Sequence, residues 1–464
     1  MDTNSSLAER QPASGHPPSV QEILEHMGPG AGYRDRGALL AVVRERLERE
    51  RLAIAAGNAP RSAADLARVT LQALDEFAVA GMARVVNATG VILHTNLGRA
   101  PWPEAAVDAA TQAAAGFVFL ELDRETGRRA ARFDLAETHL VALTGAEAAL
   151  TVNNNAAALT LSLAVAGRNR GVAVARGELA EIGGGVRIPE MIRRAGVRLI
   201  EVGTTNRTRA SDYELAIDAG ARAILRVHTS NYRVEGFTER PGLVELVAIG
   251  RQRGIPVIED LGSGALLDTR RFGLAHEPSP AESISAGVDL VTFSGDKLIG
   301  GPQSGLIVGR AEMIARLRRD PLARAARLDK VILAALAATL GLYRSGEAVE
   351  RIPVWRMIGA QPDDLRRRAL GIVAAVVEGV RDQIDVESVE STIGGGSLPG
   401  ETLPSVALSL RLSRPDAVHR RLRAGNPAVI GRVRDGRVLL DLRTVIPEED
   451  PLVGDALSRL ADTS

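Results

Sequence analysis

The first part of the chain repeats apolar and charged residues with the period of an α-helix. The predicted helix carries an apolar stripe of Leu39, Leu40, Val42, Val43 and Leu47, with arginine and glutamate residues between them. The sequence Gly-Asn-Ala-Pro at residues 57–60 interrupts the pattern, and Ser62 can cap a second helix after it. The pattern predicts a small helical domain over residues 19–82, preceded by a flexible tail over residues 1–18.

From residue 83 onwards, short apolar runs alternate with helical stretches. Seven runs have the length and composition of buried strands: residues 148–152, 171–175, 197–202, 223–227, 256–259, 290–293 and 305–308. Strands that alternate with helices predict a mainly parallel sheet that is covered on both faces. In such a sheet, ligands bind at the carboxyl ends of the strands.

The pattern also divides the rest of the chain. Residues 83–345 are predicted to form a large α/β domain that ends with a long helix around residues 322–343. Residues 346–464 are predicted to form a small C-terminal α/β domain, with a glycine-rich loop at 394–396, a strand at 406–410 and a helix at 416–422.

Composition and charge exclude several classes of function. The 464 residues contain no cysteine, which excludes disulfides, thiolate metal sites and cysteine nucleophiles, and no metal site is predicted. The formal net charge is zero, so any nucleic-acid partner would have to bind a local basic patch. Neither a signal peptide nor a membrane-spanning segment is predicted, and we expect the protein to stay in the cytoplasm.

Lysine is almost absent from the chain. The 57 basic residues comprise 55 arginines and only two lysines, Lys297 and Lys330. A lysine amine can lose its proton and attack a carbonyl group, whereas a guanidinium stays protonated. The two lysines are therefore candidates for a reaction that arginine cannot perform, with chance survival as the alternative.

Lys297 lies in the sequence SGDKLIGGP at residues 294–302, directly after a predicted strand. Glycines on both sides of the lysine allow the backbone to approach a bound group closely. Near apolar surface, the pKa of a lysine falls, which favours formation of a Schiff base. The sequence therefore predicts that Lys297 binds the aldehyde cofactor pyridoxal 5'-phosphate (PLP).

Two further strand ends carry groups that suit this cofactor. Asp260 ends the strand before the glycine-rich sequence LGSG, where a carboxylate can pair with the protonated ring nitrogen of PLP. Asn153, Asn154 and Asn155 follow a strand and open a helix, whose backbone amides could hold a phosphate together with these side chains and the Ser294 hydroxyl. Taken alone, an aspartate here can be a turn residue and an asparagine a helix cap.

The order of phosphate site, acidic residue and lysine is that of fold type I PLP enzymes, which are aspartate-aminotransferase-like. Longer motifs resemble bacterial selenocysteine synthases, the L-seryl-tRNA(Sec) selenium transferases. These motifs are VNATGVILHTNLGRAP at 86–101, RGELAEIGG at 176–184, HTSNY at 228–232, SGDKLIGGPQ at 294–303 and GGGSLPG at 394–400. Residues 18–20, PSV, are similar to the start of the family's N-terminal domain, so the resemblance spans nearly the whole chain.

The resemblance implies a reaction. Such enzymes convert L-seryl-tRNA(Sec) to L-selenocysteinyl-tRNA(Sec) by PLP-dependent β-elimination of water, through a dehydroalanyl-tRNA intermediate to which selenium from selenophosphate is added. Lys297 would act as the catalytic base once it is released from PLP. Arg99, Arg324 and Arg327 match positions that we associate with binding of the selenophosphate anion, with two surface arginines as the alternative for Arg324 and Arg327.

Other residues receive roles from the same resemblance. His228 is expected to contact the cofactor, with a structural histidine as the alternative, and Lys330 is either a helper or a surface cation. The helical domain over residues 19–82 resembles the family's tRNA-recognition domain, and Arg44, Arg51, Arg61 and Arg68 are its candidate tRNA contacts. The family also implies a homodecamer of five dimers.

Two other functions remain possible at this stage. A PLP-dependent lyase could β-eliminate from a free small amino acid or sugar acid without tRNA, but such relatives generally lack the N-terminal helical domain. A non-catalytic RNA-binding protein could keep the fold, but Lys297, Asp260 and Arg99 argue against it.

Overall fold

The computed structural model describes residues 16–28, 36–79, 82–129, 135–167 and 170–461. The part of the predicted tail up to residue 15 lies outside the described residues. The chain forms two compact units, residues 1–84 and 85–464.

Three helices make up the first unit: α1 (Val20–Met27), α2 (Arg36–Ala55) and α3 (Ala63–Val79). α1 begins with a capping box, in which Ser19 and Glu22 each bind the other's backbone amide. Leu39, Val43 and Leu47 of the predicted stripe are buried in the core of this unit. The helical pattern read from the sequence is therefore confirmed.

The second unit contains all the strands and the remaining helices of the described chain. The strands are β1 (Val85–Asn87), β2 (Ala148–Val152), β3 (Gly171–Ala175), β4 (Glu181–Ile182), β5 (Val186–Arg187), β6 (Arg198–Val202), β7 (Ala221–Val227), β8 (Val257–Gly262), β9 (Leu290–Ser294), β10 (Gly305–Gly309), β11 (Ile384–Thr392), β12 (Thr402–Leu410), β13 (Ala428–Ile430), β14 (Arg432–Arg434) and β15 (Arg437–Asp441). The helices are α4 (Glu104–Ala115), α5 (Leu135–Thr144), α6 (Asn155–Gly167), α7 (Ile188–Arg194), α8 (Ala210–Asp218), α9 (Leu243–Arg253), α10 (Pro280–Ala286), α11 (Ala311–Arg319), α12 (Pro321–Ala325), α13 (Lys330–Arg344), α14 (Ala348–Arg351), α15 (Pro353–Gly359), α16 (Pro362–Ala375), α17 (Glu378–Arg381), α18 (Pro415–Arg423) and α19 (Asp450–Ser458).

The seven predicted strands form one sheet, in the order β2-β10-β9-β8-β7-β3-β6. β10 runs antiparallel to both of its neighbours, and the other adjacent strands are parallel. Apolar side chains form a separate core on each face of the sheet, because helices cover both faces. The predicted α/β fold with a mainly parallel seven-stranded sheet is confirmed.

The long helix predicted around residues 322–343 is wrong in one respect, because it is two helices, α12 and α13. Asp329 is the last residue between the two helices. Its carboxylate accepts hydrogen bonds from the backbone amides of Val331 and Ile332 at 2.7 and 3.0 Å, which caps α13.

A second sheet occupies the C-terminal part of the chain, in the order β11-β12-β15-β14 with antiparallel neighbours. Its apolar face packs on α16, α18 and α19. The segment over residues 85–93 binds this part of the chain: β1 pairs with β13, and the amides of Ile92 and Leu93 donate to the carbonyls of Thr392 and Ile393. Ile92, Leu93 and Ile393 are also buried in the core on one face of the larger sheet. The glycine-rich loop that follows Ile393 is thereby brought towards the larger sheet.

Within the described ranges, no helix combines the length and the apolar character needed to cross a bilayer.

Candidate active site

Lys297 lies in the loop between β9 and β10, at the carboxyl edge of the large sheet. The loop closes through a hydrogen bond from the Gly301 amide to the Gly295 carbonyl at 2.9 Å. A side chain at Gly295 would collide with the Pro302 carbonyl and Ser304, so the tight loop requires glycine there. Lys297 Nζ donates to the Gly396 carbonyl at 3.4 Å.

The surroundings of Lys297 disfavour its charged form. Burial lowers the pKa of Lys297, and the positive charge of Arg99 lowers it further. The carboxylates of Asp260, Asp296 and Glu277 act in the opposite direction and raise this pKa. Because burial has the largest effect, the pKa of Lys297 lies below its ordinary value, which makes the neutral, nucleophilic form more accessible than in an exposed lysine.

Asp260 lies in β8, the strand that pairs with β9, and is 6% exposed. Its Oδ1 accepts hydrogen bonds from Asn155 Nδ2 at 2.7 Å and Thr292 Oγ1 at 2.8 Å. Burial raises the pKa of Asp260, although both hydrogen bonds and the charge of Lys297 lower it. A cationic group bound beside Asp260 would offset this cost of burial.

Arg99 contacts the loop that carries Lys297, although the two are far apart in the sequence. Its Nη1 donates to Asp296 Oδ2 at 2.6 Å, and the two side chains are 31% and 9% exposed. Arg99 has φ +64°, and its backbone amide donates to the His94 carbonyl at 3.0 Å. Gly98 before it has φ +88°, so a turn of two left-handed residues directs the chain at this point.

The three asparagines stand at the start of α6, each with a different partner. Asn155 binds Asp260, and Asn154 Oδ1 accepts from the Ala157 amide at 2.9 Å and so caps the helix. The Asn153 side-chain amide faces the carbonyls of Ala326 and Arg327 at 3.2 and 3.0 Å. Because Asn154 occupies the Ala157 amide, the backbone amides of Asn155 and Ala156 are the natural donors for an anion at this edge.

Ser294 is the last residue of β9 and lies level with the end of β2, which the asparagines follow. It pairs with Gly305 of β10, which pairs in turn with Val152 of β2, directly before Asn153. Ser294 is buried. The predicted phosphate-binding groups thus belong to neighbouring strand ends.

His228 follows β7, and its backbone amide donates to the Asp260 carbonyl at 2.8 Å. Its Nε2 lies 3.5 Å from Glu277 Oε1 and is buried without a hydrogen-bond partner. Glu277 also accepts a hydrogen bond from Ser263 Oγ. The His228 backbone is therefore fixed beside Asp260, and its imidazole faces Glu277.

Arg324 and Arg327 line a cavity of about 500 Å³ together with Thr151, Arg318 and Arg319. Arg324 belongs to α12, whereas Arg327 lies beyond the end of this helix and pairs with Glu121 at 3.1 Å. Among the described residues, no hydrogen bond or ion pair joins either arginine to Lys297. Lys330 Nζ donates a hydrogen bond to the Gly116 carbonyl. Within the described chain, no hydrogen bond or ion pair joins Lys330 to Lys297 either.

The four candidate tRNA contacts are exposed residues of the first unit. Arg51 pairs with Glu48, and Arg68 lies 3.8 Å from Asp65. Arg61 differs from the others, because its backbone amide, Nε and Nη2 all bind Glu50, at 2.8, 2.8 and 2.6 Å. Glu50 is 1% exposed, so Arg61 contributes to the structure of this unit.

Four site residues were missed in the sequence: Thr292, Asp296, Glu277 and Gly396. Thr292 lies in β9 and Asp296 directly follows its end, so their closeness to Lys297 in the sequence could have identified them as site residues. Glu277 and Gly396 reach the site only through the fold.

These groups fit PLP. A half-buried lysine of lowered pKa, a buried aspartate of raised pKa and a helix N-terminus lie at one edge of the sheet, and His228 follows the adjacent strand β7. They match the aldehyde, the ring nitrogen, the phosphate and the ring of this cofactor.

Comparisons with known proteins identify the family of this chain. Residues 85–446 match the family L-seryl-tRNA selenium transferase. The L-seryl-tRNA(Sec) selenium transferase of Carboxydothermus hydrogenoformans is 42% identical over 439 residues, which are 93% of this chain and 94% of the relative. The enzyme of the same name from Methylocella silvestris is 45% identical over 441 residues, 93% of this chain and 92% of the relative.

A solved structure shares the fold. D-Glucosaminate-6-phosphate ammonia-lyase superposes with a TM-score of 0.58 at 22% identity, covering 84% of this chain and 98% of that chain. The fold type I architecture expected from the sequence is confirmed. The chain belongs to the L-seryl-tRNA selenium transferase family, whose cofactor is pyridoxal 5'-phosphate.

Proposed function

We propose that this chain converts L-seryl-tRNA(Sec) to L-selenocysteinyl-tRNA(Sec), with selenophosphate as the selenium donor. The observation that carries the proposal is the half-buried Lys297 at the carboxyl edge of the sheet, beside Asp260 and the Arg99–Asp296 pair, in a chain of the selenium transferase family. The amine suits the cofactor, and the guanidinium suits an anionic second substrate.

Lys297, Asp260 and the start of α6 would hold the cofactor. Lys297 would bind its aldehyde, Asp260 its ring nitrogen, and His228 its ring. Its phosphate would lie at the first amides of α6, near Asn153, Asn154, Asn155 and Ser294. When bound, PLP supplies an electron-withdrawing ring that acidifies the Cα–H bond of the seryl group.

Lys297 would then move the Cα proton. Its lowered pKa keeps a larger fraction of the amine neutral near pH 7 than an exposed lysine would have, so it can accept a proton. The Gly396 carbonyl, 3.4 Å from Nζ, holds the amine in place. Loss of the serine β-hydroxyl and addition of selenium at Cβ complete the exchange.

Arg99, Arg324 and Arg327 would bind the selenophosphate anion. Arg99 is the one of the three that contacts the lysine loop. Arg324 and Arg327 share a cavity without contacting Lys297, which is consistent with service to the site of a second copy. We therefore propose a homodecamer of five dimers, with sites shared between the subunits of a dimer.

The helical region over residues 19–82 would bind the tRNA. Arg44, Arg51 and Arg68 are exposed there, and among the residues that the structure describes none of them binds a buried carboxylate, which supports a role in phosphate contacts. Arg61 would support their helices. Residues 83–345 would form the cofactor domain and residues 346–464 a small domain, in a protein that works in the cytoplasm.

A conversion assay tests this function. PLP-loaded protein is incubated with seryl-tRNA(Sec) and selenophosphate, and the amino acid released from the tRNA is identified. We expect selenocysteine from the wild type and from Lys330→Ala, and none from Lys297→Ala. A product only from free amino or sugar acids would favour a lyase, and tRNA binding without turnover would favour a non-catalytic RNA-binding protein.

A further inference from the structure

Carboxylates outnumber cations around Lys297. Asp260, Asp296 and Glu277 raise its pKa, and Arg99 is the cation that lowers it. The three carboxylates are 6%, 7% and 3% exposed, so solvent screens them weakly. At the lysine amine itself, these carboxylates favour a cationic group over a second carboxylate.

The charge of Arg99 is already neutralised. Its Nη1 lies 2.6 Å from Asp296 Oδ2, and Asp296 is buried directly beside Lys297 in the chain. The backbone hydrogen bond from Arg99 to His94 fixes the base of the side chain. An α-carboxylate attached beside the amine of a free amino acid would therefore meet a guanidinium that already has its counter-ion.

The polar atom bound to Lys297 Nζ is also an acceptor, the Gly396 carbonyl at 3.4 Å. Gly394, Gly395 and Gly396 have φ values of +74°, +61° and +72°, a conformation that brings backbone instead of side chains to the amine. A Cβ at Gly396 would lie 3.4 Å from Nζ. A carbonyl oxygen favours an ammonium group here and disfavours a carboxylate.

We propose that Asp296 is a specificity-determining residue: by neutralising Arg99, it makes the site accept serine whose carboxyl group is uncharged and reject free serine. The inference rests on the proposed function, because an aminoacyl ester has no α-carboxylate. A protonated seryl ester carries one positive charge, whereas free serine adds a carboxylate that finds the Arg99 charge already balanced by Asp296. Arg99 keeps its other N–H groups for an anion that is not attached to Cα.

The test compares L-serine with L-serinamide, a stable analogue with an uncharged carboxyl group. Each is titrated into PLP-loaded protein, and the change in absorbance of the lysine-bound cofactor gives the affinity. We expect L-serinamide to bind wild type at least about tenfold more tightly, the effect of one neighbouring unit charge. Equal affinities in the wild type would overturn the inference.

Variants identify the residue responsible. Asp296→Asn should reduce the preference about tenfold, because it frees Arg99 for the carboxylate of L-serine. Asp296→Glu should keep the preference. Asp289→Asn is the matched control: Asp289 stands at the opposite end of β9, pairs with Arg310 at 3.2 Å and should change nothing. An unchanged preference in Asp296→Asn would overturn the assignment.

The titration needs neither tRNA nor selenium, so its failure is distinguishable from failure of the proposed function. A wild type that converts seryl-tRNA(Sec) but binds both analogues equally retains the function and loses this inference.

Discussion

Removing the charge of Arg99 should raise the pKa of Lys297. Burial and the Arg99 guanidinium both disfavour the ammonium form of Lys297, so its pKa lies below the ordinary 10.5. In Arg99→Met the guanidinium is gone and the Asp296 carboxylate loses its counter-ion at 2.6 Å. Both changes favour the ammonium form, and the titration midpoint must move upward.

The size of the shift follows from the ion pair. A neighbouring charge at contact range shifts a pKa by about 1 to 3 units. Asp296 already compensates part of the Arg99 charge, so we expect a shift near the lower limit, about one unit. One unit corresponds to about 1.4 kcal/mol and to a tenfold smaller neutral fraction of Lys297 at any pH well below the midpoint.

The chain is well suited to this measurement because it has only two lysines. In a Lys330→Arg background, the rate at which fluorodinitrobenzene modifies Lys297 of the cofactor-free protein is followed against pH by peptide mapping. The control is Arg310→Met, which removes an arginine paired with Asp289 at the other edge of the sheet. A midpoint that stays unchanged or falls in Arg99→Met would refute the electrostatic argument.

Three further substitutions test other parts of the account. Asp260→Asn keeps the shape of the side chain but removes its charge, and turnover should fall about 10²- to 10³-fold, as when one preorganised electrostatic contact is lost; unchanged turnover would contradict a role at the cofactor ring. Gly90→Ala forces a side chain into φ +78° and onto a buried ion pair, so urea unfolding should show a loss of about 3 kcal/mol, and a loss below about 0.5 would be inconsistent with this packing. Arg61→Ala should destabilise the helical unit by about 1 to 2 kcal/mol because Glu50 loses its partner, measured as faster hydrogen exchange in α2 and α3, whereas Arg44→Ala should leave exchange unchanged.

The large sheet was predictable because its strands are buried on both faces and therefore stand out as short apolar runs. Each of the seven predicted strands is present, with ends that differ by at most three residues. β11 was missed, because most residues of Ile384–Thr392 are polar and its three apolar residues, at 384, 386 and 389, do not keep a period of two.

Chain order was sufficient to place Lys297 and Asp260 at one edge of the sheet. It could not predict their partners from other parts of the chain. Arg99 and Asp296 are 197 residues apart in sequence, and Lys297 and Gly396 are 99 residues apart. Those contacts depend on how the 85–93 segment and the glycine-rich loop pack on the sheet. Arg61 was assigned to the tRNA because arginines of this region were expected to be exposed. Nothing in the sequence indicated that it binds the buried Glu50.

The central claim is that Lys297 carries the cofactor, and borohydride reduction tests it most directly. Reduction fixes PLP covalently to the amine that holds it, and proteolysis with mass spectrometry identifies the modified peptide. We expect stoichiometric phosphopyridoxyl label on Lys297 and none on Lys330, although both side chains are partly accessible to solvent. Label on Lys330 with Lys297 unmodified would contradict the account.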